Sequence, residues 1–532
     1  MSKTESENVV VETPETQTQN EQKGQAKHKG RKMKRTTNLR PEVGHTCQID
    51  PNVDFSSWFE TICAESETTE LLSTQYPVKG SYVLMKFGAY AMKEIFRMIE
   101  DVQEESGHEL HYFPQLIPKP LLEAEEDHLE GFSAEVYWVN QGGNNELDVP
   151  LALRPTSETV IYHMFAKWIH SWRDLPMKVH QTCNVFRYET SATRPLIRTR
   201  EVFWNEAHTV HATEEEALAN MEQAWKDYDS VLIDQLAISG LKLVRPKFDS
   251  FPGGEHSEVL DVRMPCGRVL QTVGAHYLGQ KFAKMCDIKF LDKQQKVAYP
   301  WMTCYGISTR VLAACLALNG DARGMVLPPA IARYHVVIVP ILIGNKAVRT
   351  QILEAANEMF SELKAAGIRV TIDDDAKVKP GQKYYKWEMK GVPIRIELGK
   401  RDLAANKCVF AKRTTGEKID VPLETIVETV RVVLDEQQQY LTERNQNRLD
   451  GLIDTCHTLE ELKVCVEDKK IGRIPVACMD MEGKAIDERV HEATGAEIRG
   501  WIRTEEQPDD EDIKCIVTGQ KANFWGYAAR AY

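Results

Sequence analysis

Three stretches of this 532-residue chain carry residue types able to act on charged substrates. The first is Arg154-Pro-Thr156-Ser157-Glu158-Thr159. Two hydroxyls and a carboxylate on one turn suit a small cation, such as an amino group, held by charge-assisted hydrogen bonds. The same pattern before an apolar run is also that of a helix N-cap with its capping box, the simpler reading in isolation. The second runs from Asn184-Val-Phe-Arg187-Tyr-Glu189, through Arg194, to Leu196-Ile-Arg198-Thr-Arg200-Glu201-Val-Phe-Trp204-Asn-Glu206-Ala-His208. Its arginines and carboxylates alternate with apolar side chains, as two strands joined by a loop would place them. Arginine's fixed fork suits phosphate oxygens, although a surface hairpin laced by ion pairs has the same composition. The third is Gly306-Ile-Ser-Thr-Arg310, which opens a very apolar helical run. A cation in the first turn of a buried helix opposes the helix dipole, so Arg310 calls for an anionic partner.

The elements that must position these groups follow from periodicity. Order is expected from Asp54-Phe55-Ser56-Ser57-Trp58 onward. Tyr90, Met92, Ile95, Phe96, Ile99 and Val102 fall at helical spacing, and His111-Tyr-Phe-Pro114 is extended. Short β-rich runs then alternate with helices to about residue 330, which predicts an antiparallel sheet with helices packed on it. From His335-Val-Val-Ile-Val339 the texture becomes that of a separate α/β domain of about 100 residues. A polar helix ending at Gln437-Gln-Gln439 closes it, and a last module reaches Tyr532. The expected class is α+β.

Composition narrows the function classes. The length suggests three or four domains, and 42% apolar with 27% charged residues is ordinary for a globular protein. No stretch approaches the roughly 20 apolar residues that span a bilayer. The acidic N-terminus resembles neither a secretory signal nor a transit peptide, and twelve dispersed cysteines point to reduced thiols in cytosol. Net charge of −13 argues against binding nucleic acid by bulk attraction, while leaving room for local patches. One such patch, Lys23 to Arg35, lies in a polar tail (residues 1–45) read as disordered. It is either an RNA-backbone contact, a nuclear address or a solvated tail without a partner.

In this order, the three stretches resemble the signature motifs of class II aminoacyl-tRNA synthetases, in detail those of prolyl-tRNA synthetases of the archaeal and eukaryotic type. Leu153-Arg-Pro-Thr-Ser-Glu158, Arg198-Thr-Arg-Glu201, Leu278-Gly-Gln280, Gly306-Ile-Ser-Thr-Arg310 and Gly391-Val-Pro-Ile-Arg-Ile-Glu397 carry the likeness, which covers residues 54 to 532. It implies a catalytic domain over 46–331, an anticodon-binding domain over 332–437 and a C-terminal domain over 438–532. It further implies ATP and Mg²⁺ as cofactors, L-proline and tRNA(Pro) as partners, a cytoplasmic enzyme, and a homodimer joined through Val78 to Pro114. Arg187, Arg198 and Arg310 would bind the phosphates of ATP and carry catalysis. Glu189, Glu201, Val202, Phe203 and Gln271 would contact the nucleotide or its metal. Thr156, Glu158 and Arg187 would hold proline's ammonium and carboxylate. Phe132, Glu135, Trp204, Glu206, His208, Phe251 and His276 would shape the pocket around its ring. Lys390, Arg395, Lys400 and Arg401 are the implied RNA contacts, each also readable as a solvated charge.

Several positions depart from the family's pattern. Gly274-Ala-His276-Tyr277 stands where Thr-Ser-His-His is usual, and Cys304-Tyr305-Gly306 replaces Ser-Trp-Gly. Of the four-cysteine zinc site only Cys478 and Cys515 remain, too few for a closed structural site, so no metal is expected there. About a hundred residues separate Arg198 from Arg310, which leaves no room for an editing insertion. Two rival readings stand beside this one: a class II enzyme for another small amino acid, and a non-catalytic RNA-binding relative.

Overall fold

Alternation along one strand organises the centre of the molecule, seen in a computed structural model that describes residues 47–64, 69–126 and 136–532. The strand is β3 (Glu201–His211), flanked by β2 (Met177–Phe186) and β7 (Trp301–Ser308), both antiparallel to it. Successive strand side chains point to opposite faces. Hence Asn205, Ala207 and Thr209 turn towards covering helices, while Trp204, Glu206 and His208 line a cavity on the other side.

The helical face is closed by α2 (Lys86–Glu105), α4 (Glu214–Leu232) and α5 (Arg310–Asn319). In α2 the buried residues Phe87, Ala91, Met92, Ile95, Phe96 and Ile99 recur at helical spacing and form one stripe. In α5 everything from Val311 to Asn319 is buried, which its unbroken apolar sequence requires. On the opposite face α3 (Glu158–Trp168) packs Ile161, Tyr162 and Phe165 into a second core.

Among the described residues, eleven strands form a single sheet. Besides those named, they are β1 (Glu109–Leu110), β4 (Leu241–Val244), β5 (His256–Arg263), β6 (Arg268–Gly279), β13 (Ile453–Thr455), β14 (Ile471–Val476), β15 (Glu497–Trp501) and β16 (Phe524–Ala531). The order is β13-β14-β16-β15-β4-β5-β6-β7-β3-β2-β1. The last module is therefore an extension of the central sheet. The join is tight: Trp501 pairs with Val244, and at Gly500 (φ +137°) a Cβ would lie 2.2 Å from the Val244 carbonyl oxygen. The chain's final strand also pairs in parallel with the start of β6, Arg268 opposite Arg530 and Val269 opposite Ala531.

The α/β domain carries a mixed sheet of β8 (Val336–Pro340), β9 (Val370–Ile372), β10 (Ile394–Leu398), β11 (Lys407–Lys412) and β12 (Lys418–Pro422), in the order β9-β8-β10-β11-β12. The helix expected to stop at Gln439 instead continues as α7, Ile426–Asp450, to Gly451. Glutamines do not end helices, and no Gly or Pro interrupts the stretch. The expected boundary at 437 thus falls inside one helix. Its far half is fixed to the catalytic domain, where Asn445, buried, donates to Asn319 Oδ1 at 2.7 Å and to the Ala237 carbonyl at 2.7 Å. The basic tail, Phe132 and Glu135 lie outside the described residues.

Candidate active site

A cavity of about 430 Å³ opens on the non-helical face of β3, β6 and β7. Its lining includes Thr156, Glu158, Arg187, Glu189, Arg198, Val202, Trp204, Glu206, His208, Phe251, Gln271, His276 and Arg310. Residues separated by more than 150 positions in the sequence thus meet around one space. Gly306 lies opposite Glu206 across the strands, and a Cβ there would be 2.8 Å from the Asn205 carbonyl oxygen. Any side chain here would have to push the Asn205 backbone aside.

One end of the cavity is built from carboxylates and an imidazole. Glu158 begins α3, where the helix dipole favours its charge. Ser157, the N-cap residue, makes no side-chain cap bond; instead the Thr156 hydroxyl bonds the Glu158 carboxylate. Thr156 and Glu158 therefore serve the cavity, not a capping box, while the Ser157 hydroxyl accepts from Gln181 Nε2 at 3.2 Å. Glu206 accepts from Gln181 Nε2 at 2.8 Å and faces His208 Nε2 at 3.1 Å; His208 Nδ1 meets Tyr162 Oη at 3.0 Å. Burial pushes the Glu206 carboxyl up, but His208 and the bonds around it hold it below the usual range. Burial likewise opposes charge on His208, yet Glu206 and Glu158 keep its pKa raised. His276 stacks on Phe251 with ring centroids 4.6 Å apart and meets Ser257 Oγ at 2.8 Å through Nδ1. Burial, with Arg245 and His208 nearby, takes it down to about 3, so this ring is neutral.

The other end is cationic. Arg310 donates from Nε to the Ile197 carbonyl at 2.9 Å and from Nη1 to the Gln271 carbonyl at 3.5 Å. Among the described residues no carboxylate lies within ion-pair distance of it, although Asp261 and Glu189 are near enough to act on its charge. Burial, Arg187 and Arg198 bring its pKa down to about 10. Arg198 lies 3.7 Å from Glu189 Oε2 and 3.5 Å from the backbone oxygen of Tyr532. Arg187 is held by the Pro155 carbonyl at 3.1 Å and lies over the Trp204 ring.

Between the two ends lies Gln271. A bulge in β6 shifts the register between Leu260 and Asp261 and turns Gln271, opposite Asp261, to the cavity side. Arg245 Nη2 then bonds both Asp261 Oδ1 and Gln271 Oε1 at 3.2 Å, and Arg499 Nε reaches Asp261 Oδ2 at 2.9 Å. Arg499 belongs to β15 in the C-terminal module, so that module buttresses the cavity wall. Arg245, Asp261 and Arg499 were not singled out from the sequence. A Cβ at Gly274 would sit 3.1 Å from His276 Nε2 and 3.2 Å from Gln271 Nε2, which crowd the space left by the missing side chain.

Some expected contacts lie elsewhere. Phe203 points to the helical face and packs edge-on against Phe96, centroids 4.7 Å apart; strand alternation leaves Val202 alone on the cavity wall. Glu201 is exposed, takes a hydrogen bond from Asn184 Nδ2 at 2.5 Å and is not among the lining residues. The Tyr305 ring also points to the helices, its hydroxyl bonded to His108 Nε2 and, at 3.2 Å, to Asn220 Nδ2. Lys390 is buried and ion-paired with Glu70, so it joins domains and presents no charge to RNA. Arg395 is buried on β10 between Glu388 and Glu397, each at 2.9 Å, and stacks on Tyr384. Lys400 and Arg401 remain exposed. Cys478 donates to Asp480 Oδ1 at 2.6 Å, and Cys515 is buried in the C-terminal module's core.

Family models match three successive parts of the chain. Residues 137–319 fit the tRNA synthetase class II core domain (G, H, P, S and T), 335–432 an anticodon binding domain, and 459–532 the prolyl-tRNA synthetase C-terminal domain. The proline--tRNA ligase of Methanococcoides burtonii is 43% identical over 480 residues, 90% of this chain and 97% of that protein. That of Methanosarcina mazei is 41% identical, covering 91% and 98%. In three dimensions the chain is similar to a Giardia lamblia prolyl-tRNA synthetase in complex with prolyl-adenylate, with TM-score 0.86 and 41% identity over 92% of this chain and 99% of that one. A Cryptosporidium parvum prolyl-tRNA synthetase complexed with halofuginone and AMPPNP gives TM-score 0.86 at 31% identity, covering 92% and 100%.

Proposed function

This chain belongs to the prolyl-tRNA synthetases of class II, and from that premise we propose how its residues divide the work. The enzyme uses ATP to activate L-proline as prolyl-adenylate and transfers the prolyl group to tRNA(Pro). Curated relatives matching nine tenths of the chain are proline ligases, which removes the reading as an enzyme for another amino acid or a non-catalytic relative.

The observation that carries the assignment of roles is the polarity of one cavity, anionic at one end and cationic at the other. Thr156 and Glu158 hold proline's secondary ammonium, with Glu206 and His208 as a rigid wall behind its ring. Trp204, Phe251 and the neutral His276 complete that wall. Arg187 sits between the two ends and takes the carboxylate, which attacks the α-phosphate as pyrophosphate departs. Arg198 and Arg310 receive the phosphate charge as it builds up, and because backbone carbonyls already fix them they need no reorganisation. Gln271 and Val202 contact the nucleotide. Glu189, a carboxylate on the cavity wall beside Arg198, fits a hard oxygen-loving cation. Mg²⁺ held there would neutralise phosphate charge.

Outside the cavity, α2 and its neighbours form a homodimer contact, and Lys400 with Arg401 meets the anticodon stem. The protein works in the cytoplasm; among the described residues no helix is long and apolar enough to cross a membrane. Cys478 and Cys515 hold no structural zinc. The test of the residue roles is ATP–pyrophosphate exchange with Glu158→Gln. Loss of a charged hydrogen bond is worth about 1.5–3 kcal/mol, so the KM for proline should rise roughly 10- to 150-fold with the KM for ATP unchanged. Equal rises in both would remove Glu158 from the ammonium.

A further inference from the structure

At the closed end of the cavity three unlike donor groups converge. Glu158 comes from the first turn of α3, His208 from β3 and Cys304 from β7, and all three are buried. One carboxylate oxygen, one ring nitrogen and the thiol sulfur lie within 4.8 Å of one another. Cross-strand pairing of His208 with Cys304 puts two of them side by side, and Cys304 Sγ lies 4.0 Å from Glu158 Oε1. His208 Nε2 is engaged by Glu206 at 3.1 Å, which leaves Nδ1, now facing Tyr162 Oη, as the atom on offer. A metal-ligating imidazole commonly donates its other N–H to a carboxylate, and Glu206 already occupies that place, anchored by Gln181.

We propose that Glu158, His208 and Cys304 bind a thiophilic divalent cation, Zn²⁺ being the species that suits sulfur, nitrogen and oxygen donors together. Hard cations such as Mg²⁺ or Ca²⁺ avoid thiolate. Three protein ligands leave the fourth tetrahedral position open to the cavity. Bonds of about 2.0–2.3 Å put tetrahedral ligand atoms about 3.5 Å apart, so side-chain rotations of roughly an ångström close the site. As the metal bonds form, the Cys304 thiol and the protonated fraction of His208 give their protons to solvent, and no redox change occurs. The proposal rests on Glu158 holding proline's ammonium: one carboxylate then serves two cations, and Zn²⁺ and proline exclude each other.

Co²⁺ is the probe, titrated into the full-length protein without amino acid and followed by the sulfur-to-cobalt charge-transfer band. Wild type should show one equivalent of binding that saturating proline displaces. Cys304→Ser should lose the band at this site, and Glu158→Gln should weaken Co²⁺ binding at least tenfold while keeping the sulfur ligand. Because the chain has eleven other cysteines, the readout is the difference between wild type and variant. A band undiminished in Cys304→Ser, or unchanged affinity in Glu158→Gln, overturns the metal site. A band that depends on Cys304 yet resists proline overturns mutual exclusion, and with it the placement of proline on Glu158, while leaving the metal ligands standing.

Discussion

The two ends of the cavity are prepared in opposite ways. At the amino-acid end the charged groups are already matched within the protein: Glu206 by His208 and Gln181, Glu158 by the Thr156 hydroxyl. At the nucleotide end the arginines lean mainly on carbonyl oxygens, with one carboxylate, Glu189, at 3.7 Å from Arg198. The first arrangement is a finished surface that selects by shape and by a single charge. The second holds positive charge in surplus, partly buried and mutually repelling, which an incoming polyphosphate would relieve. On the proposed division of roles, proline recognition is largely prepaid in folding, whereas the driving force for catalysis is drawn from ATP.

Substitutions at the two ends should separate cleanly. The largest effect is expected for Arg310→Ala: exchange of pyrophosphate into ATP should fall about 10²- to 10³-fold, with proline affinity in equilibrium dialysis changed less than about threefold. A collapse of both would mean that the ends are one electrostatic unit. Arg499→Ala comes next. It frees Asp261 and Arg245 and so loosens Gln271; the KM for ATP should rise several-fold while the KM for proline stays put, as loss of one buried charged bond shared through intermediates implies. An unaltered KM for ATP would cut the C-terminal module out of nucleotide binding.

The smallest expected effect contrasts the cavity with the helical face behind it. His108 and His211 sit in that face, buried, with pKa brought down to about 4 and about 3. In the unfolded chain both take up a proton near pH 6.5, but the folded protein does not. Their contribution is therefore complete above pH 6.5 and is lost as pH falls towards 4. The unfolding free energy from urea titrations should fall by at most about 1.4 kcal/mol per group per pH unit in that window. His208, held up by its carboxylates, acts with the opposite sign, and replacing His108 by Gln should flatten the profile.

What the sequence shows and what it hides divide along physical lines. Helical spacing marks α2 because it depends on neighbours in the chain, whereas Trp204, Glu206 and His208 are reached from the sequence only through the family resemblance, and the fold shows that they share a face. The motif arginines could be found because guanidinium groups in apolar surroundings need a reason. Phe203 went astray because the phase of an alternation must be known before a face can be assigned. Lys390 and Arg395 look like any surface cation until the fold supplies Glu70, Glu388 and Glu397. Cys304 and Glu158 stand 146 positions apart, and Arg499 is 238 from Asp261, so no local pattern joins them. The run-on of α7 past Gln439 is hidden because a polar stretch resembles a boundary, although polar residues sustain helices well.

The edge-to-edge join of β15 with β4, and the pairing of the last strand with β6, also set a schedule for the newborn chain. Residues 241–279 leave the ribosome long before 497–531, so the wall that carries Gln271 has to wait with its sheet edge bare. Bare edges are where strands pair wrongly, and at synthesis rates of about 5–20 residues per second the gap lasts some tens of seconds. The wall that carries Gln271 is thus closed only once residues 497–531 have been made.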